Sequence, residues 1–332
     1  LDDFDILHRI GWGATSTVYL VRERATGNLY ALKQALKHSS NGDVAEEQRT
    51  LRHLAETPDV PKSLLPLIAS WSDSEYIYFL TPWCGGKDLS VLLANRQFLA
   101  KERVKAYMAQ LIVAVEALHD QRIIHRDIKP DNIFVTNDGN LVLGDFGCAK
   151  RFNLEIDDAS SHGSFFKLPE DDVACVTRDR CGTLYYMSPA QHAGTEYSFD
   201  ADIWALGLVF FKMSTGRLPF GENAEGVNAI HAAYAEDPIV ITTADEFDVL
   251  GLHLIQAMLV KDGKERLTIK DVKAHPYFSG VDWDAVARHK APVPWVPKVP
   301  EVPQEPRKNM ISPGSPCESG VDSFDFVSQR FS

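Results

Sequence analysis

The spacing of apolar residues changes at Gly85-Gly86, and this change constrains the fold more than any other feature of the chain. Over residues 5–80 the apolar residues come in short alternating runs separated by turn-forming stretches, which is typical of successive antiparallel strands. Beyond the two glycines they recur at helical spacing, most clearly over residues 104–118. We therefore predict an α+β chain with a small β-rich lobe, a hinge at residues 81–86 and a larger helical lobe.

Several segments refine this division. Residues 43–56 have helical periodicity within the β-rich part, and residues 200–209 are apolar enough for an almost wholly buried helix. Further helices are expected near 223–235, 246–260 and 268–275. Residues 153–180 are polar and favour a loop. The proline-dense stretch from Pro292 cannot form a core of its own and is expected to run extended over the folded lobes.

Composition excludes some classes of function. The chain of 332 residues has a net charge of −12, which argues against sequence-independent nucleic-acid binding, since such binding needs clustered cations. The longest apolar run, Ile203–Phe211, is too short to span a membrane, and no secretory signal is recognisable at the N-terminus. We expect a monomeric intracellular protein of the cytoplasm or nucleus. Because the first residue is Leu1, we expect a segment or processed form of a longer chain.

The cysteines show no pattern of a cross-linked or zinc-binding protein. They form no Cys-x-x-Cys pair and no zinc-like spacing with histidine. The five positions are Cys84, Cys148, Cys175, Cys181 and Cys317. We expect all of them to be reduced thiols.

Residues 124–132 place an acid, a lysine and an amide between two apolar segments. Asp127 is suited to accept a hydroxyl proton, Lys129 to neutralise a transferring phosphoryl group, and Asn132 to ligate a divalent cation. Thirteen residues after Asn132, Asp145 adds a second carboxylate in an Asp-Phe-Gly turn. Because Mg²⁺ takes carboxylate, amide and phosphate oxygens, we assign Asn132 and Asp145 as its ligands. This order and spacing predict phosphoryl transfer from a metal-bound nucleotide.

A glycine-rich loop stands near the N-terminus. Gly11, Gly13, Ser16 and Val18 belong to a G-x-G-x-x-S-x-V segment in which the backbone can close over phosphates and its amides can donate to them. A dinucleotide-binding fold requires a helix after such a loop, whereas a strand follows here. A plain glycine-rich hairpin remains the alternative reading of this segment taken alone.

Lys33 ends an apolar strand and needs an anionic partner if it faces the interior, because burying an unpaired charge is unfavourable. Glu47 is the preferred carboxylate, since Leu51 follows it by one helical turn and would face the same interior. Glu46 is the rival, and the nucleotide phosphates are a second partner. A solvent-facing lysine is the alternative.

Taken together, these motifs resemble those of the eukaryotic protein kinases. The glycine loop, Ala-Leu-Lys, His-Arg-Asp, Asp-Phe-Gly and an Asp-Ile-Trp-Ala-Leu-Gly run occur in that family's order over about residues 4–278. The resemblance implies the bilobal protein kinase fold, with a small antiparallel-β N-lobe containing one main helix and a large, mainly α-helical C-lobe. It also implies ATP and Mg²⁺ as cofactors. Lys129 and Thr183 resemble the serine/threonine branch, so the implied partners are proteins with Ser or Thr acceptors.

The resemblance also implies boundaries along the chain. These are an N-lobe at 1–80, a hinge at 81–86, a C-lobe at 87–280 with its activation segment at 145–190, and a C-terminal tail at 281–332. By the same analogy Leu80 is the gatekeeper, and the backbone of Thr81 and Trp83 meets the adenine edge. The residues that would sandwich the adenine ring are Val18, Ala31 and Phe134.

Finer features resemble the AGC group, the relatives of the cyclic-nucleotide-dependent kinases. They include the Arg-Cys-Gly-Thr run at 180–183 and the Pro-Val-Pro-Trp-Val-Pro run at 292–297. In that group the tail wraps back onto the small lobe. Ser312 and Ser315 resemble its turn-type phosphorylation sites, and residues 324–331 loosely resemble its aromatic tail motif.

Two departures from the family's pattern bear directly on the predicted site. Ala190 replaces the usual glutamate of Ala-Pro-Glu, so Arg266 needs another acceptor, because an uncompensated buried charge costs about 3–5 kcal/mol. Asp179 stands two residues before Cys181, where the AGC group is usually phosphorylated. We hypothesise that Asp179 partly replaces the phosphate by pairing with Arg126, and Thr177 is the runner-up as a true phosphorylation site.

Two other functions stay open at this point. A pseudokinase scaffold would bind nucleotide or partners without catalysis, but such proteins generally lose one of the residues corresponding to Lys33, Asp127, Asn132 and Asp145. A small-molecule kinase is disfavoured by Thr183 and the peptide-docking segment around it. Substrate preference is poorly specified, with Asp131 as one candidate contact for a basic residue.

Overall fold

The computed structural model describes residues 3–13, 15–37, 44–152, 175–221, 224–242, 247–302 and 326–328. The strands are β1 (Phe4–Trp12), β2 (Ser16–Glu23), β3 (Leu29–Leu36), β4 (Ala69–Ser72), β5 (Tyr76–Pro82), β6 (Ile123–Ile124), β7 (Ile133–Val135), β8 (Leu141–Leu143), β9 (Lys150–Arg151) and β10 (Phe326–Val327). The helices are α1 (Val44–Glu56), α2 (Leu89–Leu92), α3 (Lys101–Asp120), α4 (Pro189–Ala193), α5 (Asp200–Thr215), α6 (Val227–Glu236), α7 (Val249–Met258), α8 (Ile269–Ala274) and α9 (Trp283–Ala287).

An antiparallel sheet of order β1-β2-β3-β5-β4-β10 forms the small lobe. Leu20, Leu32 and Tyr78 are almost fully buried, and β2 and β5 have consecutive buried residues, so their central parts are covered on both faces. Val18 lies opposite Lys33 in the β2–β3 register, and Phe79 lies opposite Lys33 in the β3–β5 register. The position of Lys33 is therefore set by strands on both sides.

Helix α1 is the main helix of this lobe. Val44, Glu47, Leu51 and Leu54 recur every three or four residues, so they share the buried face of the helix. The two acidic residues of its first turn suit the positive end of the helix dipole. The apolar members of this face pack in the main core and carry Glu47 inward with them.

The large lobe is built around α3 and α5, which contact each other and the shorter helices α7, α8 and α9. Helix α5 is buried on nearly every side, including Trp204 and Phe211. Each large apolar side chain buried in this way stabilises the fold by about 1.5–3 kcal/mol. The helix ends at Gly216, whose φ of 76° is a conformation that glycine adopts without strain. The predicted helices near 223–235, 246–260 and 268–275 are confirmed as α6, α7 and α8.

The C-terminal segment contacts both lobes. The backbone oxygen of Trp295 lies close to Gly139 in the large lobe, while a Val299 methyl lies close to Gly85 at the hinge. Further on, Phe326 and Val327 pair with β4 and add the last strand of the small-lobe sheet. Ser312, Ser315 and most of residues 324–331 lie outside the described residues. None of the described helices is long and apolar enough to cross a membrane. The predicted α+β bilobal architecture is confirmed.

Candidate active site

The loop from His125 to Asn132 is held in place by a carboxylate from helix α5. Asp202 accepts hydrogen bonds from the backbone amides of His125 and Arg126, each at 2.9 Å, and a third contact of 3.0 Å from Nε2 of His119. Asp202 is completely buried. Burial opposes its ionisation, but the hydrogen bonds and the charge of His119 outweigh burial and lower the pKa of Asp202. The carboxylate therefore stays ionised and fixes the start of the loop.

Asp202 was not among the predicted site residues. The signal in the sequence is an aspartate within the almost wholly apolar helix α5, since a carboxylate buried there requires donors from elsewhere. The sequence does not reveal that those donors are backbone amides some 76 residues earlier.

Asp127 lies at the centre of the loop, with 8% of its surface exposed. One carboxylate oxygen accepts the amide of Thr183 at 2.7 Å, and the other accepts Nζ of Lys129 at 2.8 Å and Nδ2 of Asn132 at 3.0 Å. Lys129 also donates to the Thr183 hydroxyl. The structure thus brings together four residues that are separated by up to 56 positions in the chain.

Lys33 connects the small lobe to this centre. Its Nζ lies 2.7 Å from Glu47 on α1 and 2.9 Å from Asp145. Burial lowers the pKa of Lys33, but the two carboxylates outweigh burial and raise it, so the ammonium stays charged. Glu46, the alternative partner, instead pairs with Arg49 on the outer side of the helix.

Asp145 and Arg126 have left-handed backbone conformations, with φ values of 57° and 66°. Such a conformation in a non-glycine residue costs on the order of 1–3 kcal/mol and is typical of functional sites. Lys33 is the main cause that lowers the pKa of the Asp145 carboxyl to about 2. Asp145 is therefore an anion ready to ligate a cation. Asn132, which is 5% exposed, adds an amide on the same loop as Asp127.

The predicted nucleotide-contacting residues lie on the strands around the hinge. Gly11 and Val18 are paired across the β1–β2 hairpin, and the amide of Gly13 donates to the carbonyl of Ser16 at 2.8 Å. Leu80 is 3% exposed on β5, next to Thr81. The remaining members are Ala31 opposite Thr81 on β3, Phe134 on β7, and Trp83 just after β5.

Asp179, in the predicted activation segment, contacts the loop from His125 to Asn132, which we call the catalytic loop. Its Oδ2 is 2.8 Å from Nζ of Lys150 and 3.1 Å from Nη1 of Arg126. The hydroxyl of Tyr197 donates to the Asp179 carbonyl at 2.6 Å. The hydrogen bond from Lys150, followed by those from Thr177 and Arg126, lowers the pKa of Asp179 to about 2. The predicted contact between Asp179 and Arg126 is present, and Lys150 is a second cation that the sequence did not indicate.

Comparison with known proteins agrees with this geometry. A family model described as "Protein kinase domain" matches residues 4–278. The chain belongs to the protein kinase family. The chain is 29% identical over 307 residues to protein kinase C zeta type of Oryctolagus cuniculus, covering 89% of this chain and 49% of that protein.

Two further relatives are named as serine/threonine kinases. The chain is 32% identical over 311 residues to the probable serine/threonine protein kinase IRE4 of Arabidopsis thaliana, covering 88% of this chain and 29% of that protein. It is 30% identical over 297 residues to serine/threonine-protein kinase PKH3 of Saccharomyces cerevisiae, covering 85% and 32%. The chain therefore spans half or less of the length of these relatives.

Thr177, which the sequence offered as the alternative to Asp179, is buried. Its surface is 6% exposed, and its backbone pairs with that of Tyr197 in both directions at 3.0 Å. Its hydroxyl accepts hydrogen bonds from Lys150 and from the amide of Asp179. In this conformation Thr177 supports the position of Asp179 and is shielded from an activating kinase.

In this kinase domain the guanidinium of Arg266 has hydrogen-bond acceptors although the usual glutamate is missing. With Ala190 at that position, Nη1 of Arg266 instead pairs with Asp200 at 2.8 Å, and Nε donates to the Val260 carbonyl at 3.0 Å. Burial lowers the pKa of Arg266 to about 10, which leaves the guanidinium charged at neutral pH. The missing carboxylate is thus replaced by one from the start of helix α5.

The prediction of five reduced thiols is wrong for one pair of cysteines. Cys148 and Cys181 form a disulfide, with their Cα atoms 5.9 Å apart. They are separated by 33 positions, so only the folding of the activation segment brings them within the range that a disulfide requires. Among the other described cysteines, Cys84 and Cys175 have free thiols. Cys317 lies outside the described residues.

Proposed function

We propose that this chain is an active serine/threonine protein kinase, which transfers the γ-phosphate of ATP to Ser and Thr hydroxyls of protein substrates. The observation that carries the proposal is the Asp127 carboxylate, held by Lys129, Asn132 and the Thr183 amide. Phosphoryl transfer depends mainly on positioning and charge stabilisation, and this centre offers both. The similarity to serine/threonine kinases supports the same assignment.

The donor groups fit Mg²⁺. Asn132 and Asp145 would hold it, because an ionised carboxylate and an amide oxygen are hard ligands of the kind that this cation takes together with phosphate oxygens. When bound, Mg²⁺ neutralises charge on the phosphates.

Each residue of the centre has a defined role in the proposal. Asp127 orients the acceptor hydroxyl and takes its proton, while Lys129 stabilises charge on the γ-phosphoryl group. Lys33, oriented by Glu47, binds the α- and β-phosphates. The loop amides around Gly11 and Gly13 donate to the phosphates. Leu80 is the gatekeeper, and the backbone of Thr81 and Trp83 meets the adenine edge.

The pseudokinase and small-molecule alternatives are less well supported. Lys33, Asp127, Asn132 and Asp145 are all present, with Lys33 paired to Asp145 and Asn132 hydrogen-bonded to Asp127. A pseudokinase has no requirement for this full set. Thr183 lies beside the catalytic carboxylate, which favours an extended peptide docked against residues 182–187 over a small acceptor.

The proposal includes the control of the enzyme. Asp179 acts in place of a phosphorylated residue, because it already pairs with Arg126 and Lys150. A carboxylate carries less charge than the −1.5 to −2 of a phosphate, so we expect partial activation. We also propose that the enzyme is monomeric, intracellular and a member of the AGC group. Light scattering of the purified chain tests whether it is a monomer.

The test is phosphate transfer from radiolabelled ATP to a generic basic protein, with and without Mg²⁺. We expect labelled phosphoserine and phosphothreonine only when Mg²⁺ is present, and no label in the Asp145→Asn variant. ATP binding without transfer would favour the pseudokinase reading. ATP consumption that requires a small-molecule acceptor and does not change when protein is added would favour a small-molecule kinase.

A further inference from the structure

The disulfide between Cys148 and Cys181 joins the two ends of the activation segment. Cys148 directly follows the Asp-Phe-Gly turn that contains Asp145, and Cys181 directly precedes Gly182 and Thr183. The bond therefore connects the proposed metal-binding carboxylate to the segment that donates to Asp127. Neither cysteine has a role in the proposed chemistry.

The backbone at each end of the disulfide lies close to Arg126. The Cys148 carbonyl accepts a hydrogen bond from Nε of Arg126. On the other side, Gly182 is packed so closely that a Cβ placed on it would lie 2.4 Å from the Arg126 carbonyl oxygen. The disulfide thus fastens the chain on two sides of the residue that precedes the catalytic aspartate.

Apart from the backbone pairing of Thr177 with Tyr197, this segment is attached through an exposed carboxylate and its ion pairs. The side chain of Asp179 is 56% exposed where it meets Arg126 and Lys150. Exposed ion pairs contribute little and weaken in salt. A covalent link across 33 positions limits the conformations open to the segment in a way that these pairs do not.

We propose that Cys148 and Cys181 form a redox modification site, in which the oxidised pair holds the activation segment in its catalytic arrangement and the reduced pair releases it. The direction follows from the geometry. In the disulfide-bonded structure Thr183 contacts Asp127 and Asp179 contacts Arg126. The inference rests on the proposed kinase activity and adds its regulation.

The oxidant is a hydroperoxide. The thiolate of one cysteine attacks the O–O bond and becomes a sulfenic acid, while the other oxygen leaves and is protonated to water or an alcohol. The second thiolate then attacks that sulfur, forms the S–S bond and displaces hydroxide, which is protonated to water. Two electrons pass from the thiols to the peroxide. A dithiol reverses the change by thiol–disulfide exchange.

The test compares the full chain after hydrogen peroxide treatment with the same chain after dithiothreitol. Mass spectrometry of a non-reducing digest measures the Cys148–Cys181 linkage, and hydrogen exchange measures the amides of residues 176–183. We expect kcat/KM for a basic protein to be about three- to tenfold higher in the oxidised form, with slower amide exchange.

Variants make the result specific. Cys148→Ser and Cys181→Ser should each behave like the reduced wild type under both treatments, whereas the matched control Cys175→Ser should keep the full response. The proposal is overturned by oxidised activity equal to or below the reduced activity, by a response that survives in Cys148→Ser, or by failure to form the linked peptide.

Failure of the proposed function gives a different result. A chain without kinase activity transfers no phosphate in either redox state, whereas the linked peptide and the exchange rates still report the cross-link. If a serine variant does not fold, as judged by its thermal melt, Cys148→Ala and Cys181→Ala replace it.

Discussion

The catalytic loop and the activation segment meet at Arg126 and Asp127, yet they are held by different kinds of interaction. The start of the catalytic loop is fixed by Asp202, which is buried and accepts two backbone amides. The activation segment is attached by the backbone pairing of Thr177 with Tyr197, by Asp179, whose side chain is largely exposed, and by a disulfide. Buried, fully paired groups change little with salt or redox conditions, whereas exposed charges and thiols respond to both. The residues of the proposed chemistry are therefore held by a buried carboxylate, whereas those of the proposed regulation are held partly by an exposed one.

The largest effect should come from the catalytic loop itself. Asp127→Asn keeps the size of the side chain but removes the base and the negative charge that Lys129 pairs with. We expect kcat to fall by about 10²–10⁴-fold, with the thermal midpoint nearly unchanged.

The matched control for this prediction is Asp284→Asn on helix α9, whose side chain is 86% exposed and distant in sequence from the loop. It should retain wild-type kcat. A loss in Asp127→Asn of less than tenfold would show that Asp127 only supports the loop, and the comparison between the two regions would then fail.

The second-largest effect should come from Asp202, the buried carboxylate that holds the start of the catalytic loop. Asp202→Ala leaves the amides of His125 and Arg126 without their acceptor, so we expect the free energy of unfolding in urea to fall by about 3–5 kcal/mol. Asp284→Ala again serves as the exposed control and should change stability by less than about 0.5 kcal/mol.

The pH dependence of this effect has a definite sign. The pKa of Asp202 is lowered from its ordinary value of 3.8, so the stability it contributes is present above that value and is lost as the pH falls through the lowered pKa. The difference between wild type and Asp202→Ala should therefore shrink in acid, as the pH falls through the lowered pKa of Asp202. A difference that shrinks between pH 8 and 6 would contradict this reading.

The smallest effect should come from Asp179, the exposed carboxylate that attaches the activation segment. Asp179→Asn weakens the attachment to Arg126 and Lys150, and we expect kcat/KM to fall about three- to tenfold at low salt and less in high salt. The control is Glu196→Gln, which disturbs only the exposed pair with Arg178. If Asp179→Asn has no effect while Thr177→Ala abolishes turnover, Thr177 and not Asp179 is the regulatory residue.

The pH profile distinguishes this carboxylate from a phosphate. Because the pKa of Asp179 is lowered from 3.8 to about 2, its stabilising charge is present above 3.8 and is lost only as the pH falls toward 2. A phosphate, with a second pKa of about 6, loses charge across neutral pH. The activity ratio of wild type to Asp179→Asn should thus be flat from pH 6 to 8. A ratio that falls steadily from pH 8 to 6 would mean that another group provides the attachment.

Local patterns in the sequence were sufficient for the architecture and for the reacting groups. Alternation and helical spacing report which face of each element is buried, so the β-rich lobe, the buried helix α5 and the inward face of α1 were all predictable. The same spacing favoured Glu47 over Glu46, and the structure pairs Glu47 with Lys33. Residues that act within one short loop, such as Asp127 and Asn132, stand close in the chain and are recognisable together.

Only the tertiary structure decided which residues distant in the sequence pair with one another. Asp202 reaches amides 76 and 77 positions earlier, Arg266 finds Asp200 in place of the missing glutamate, and Cys148 meets Cys181 across 33 positions. Periodicity carries no information on such pairs, because it reports burial and not the identity of the neighbour. The sequence by itself predicted the reacting groups, and the packing of the large lobe determined which distant residues hold them in place.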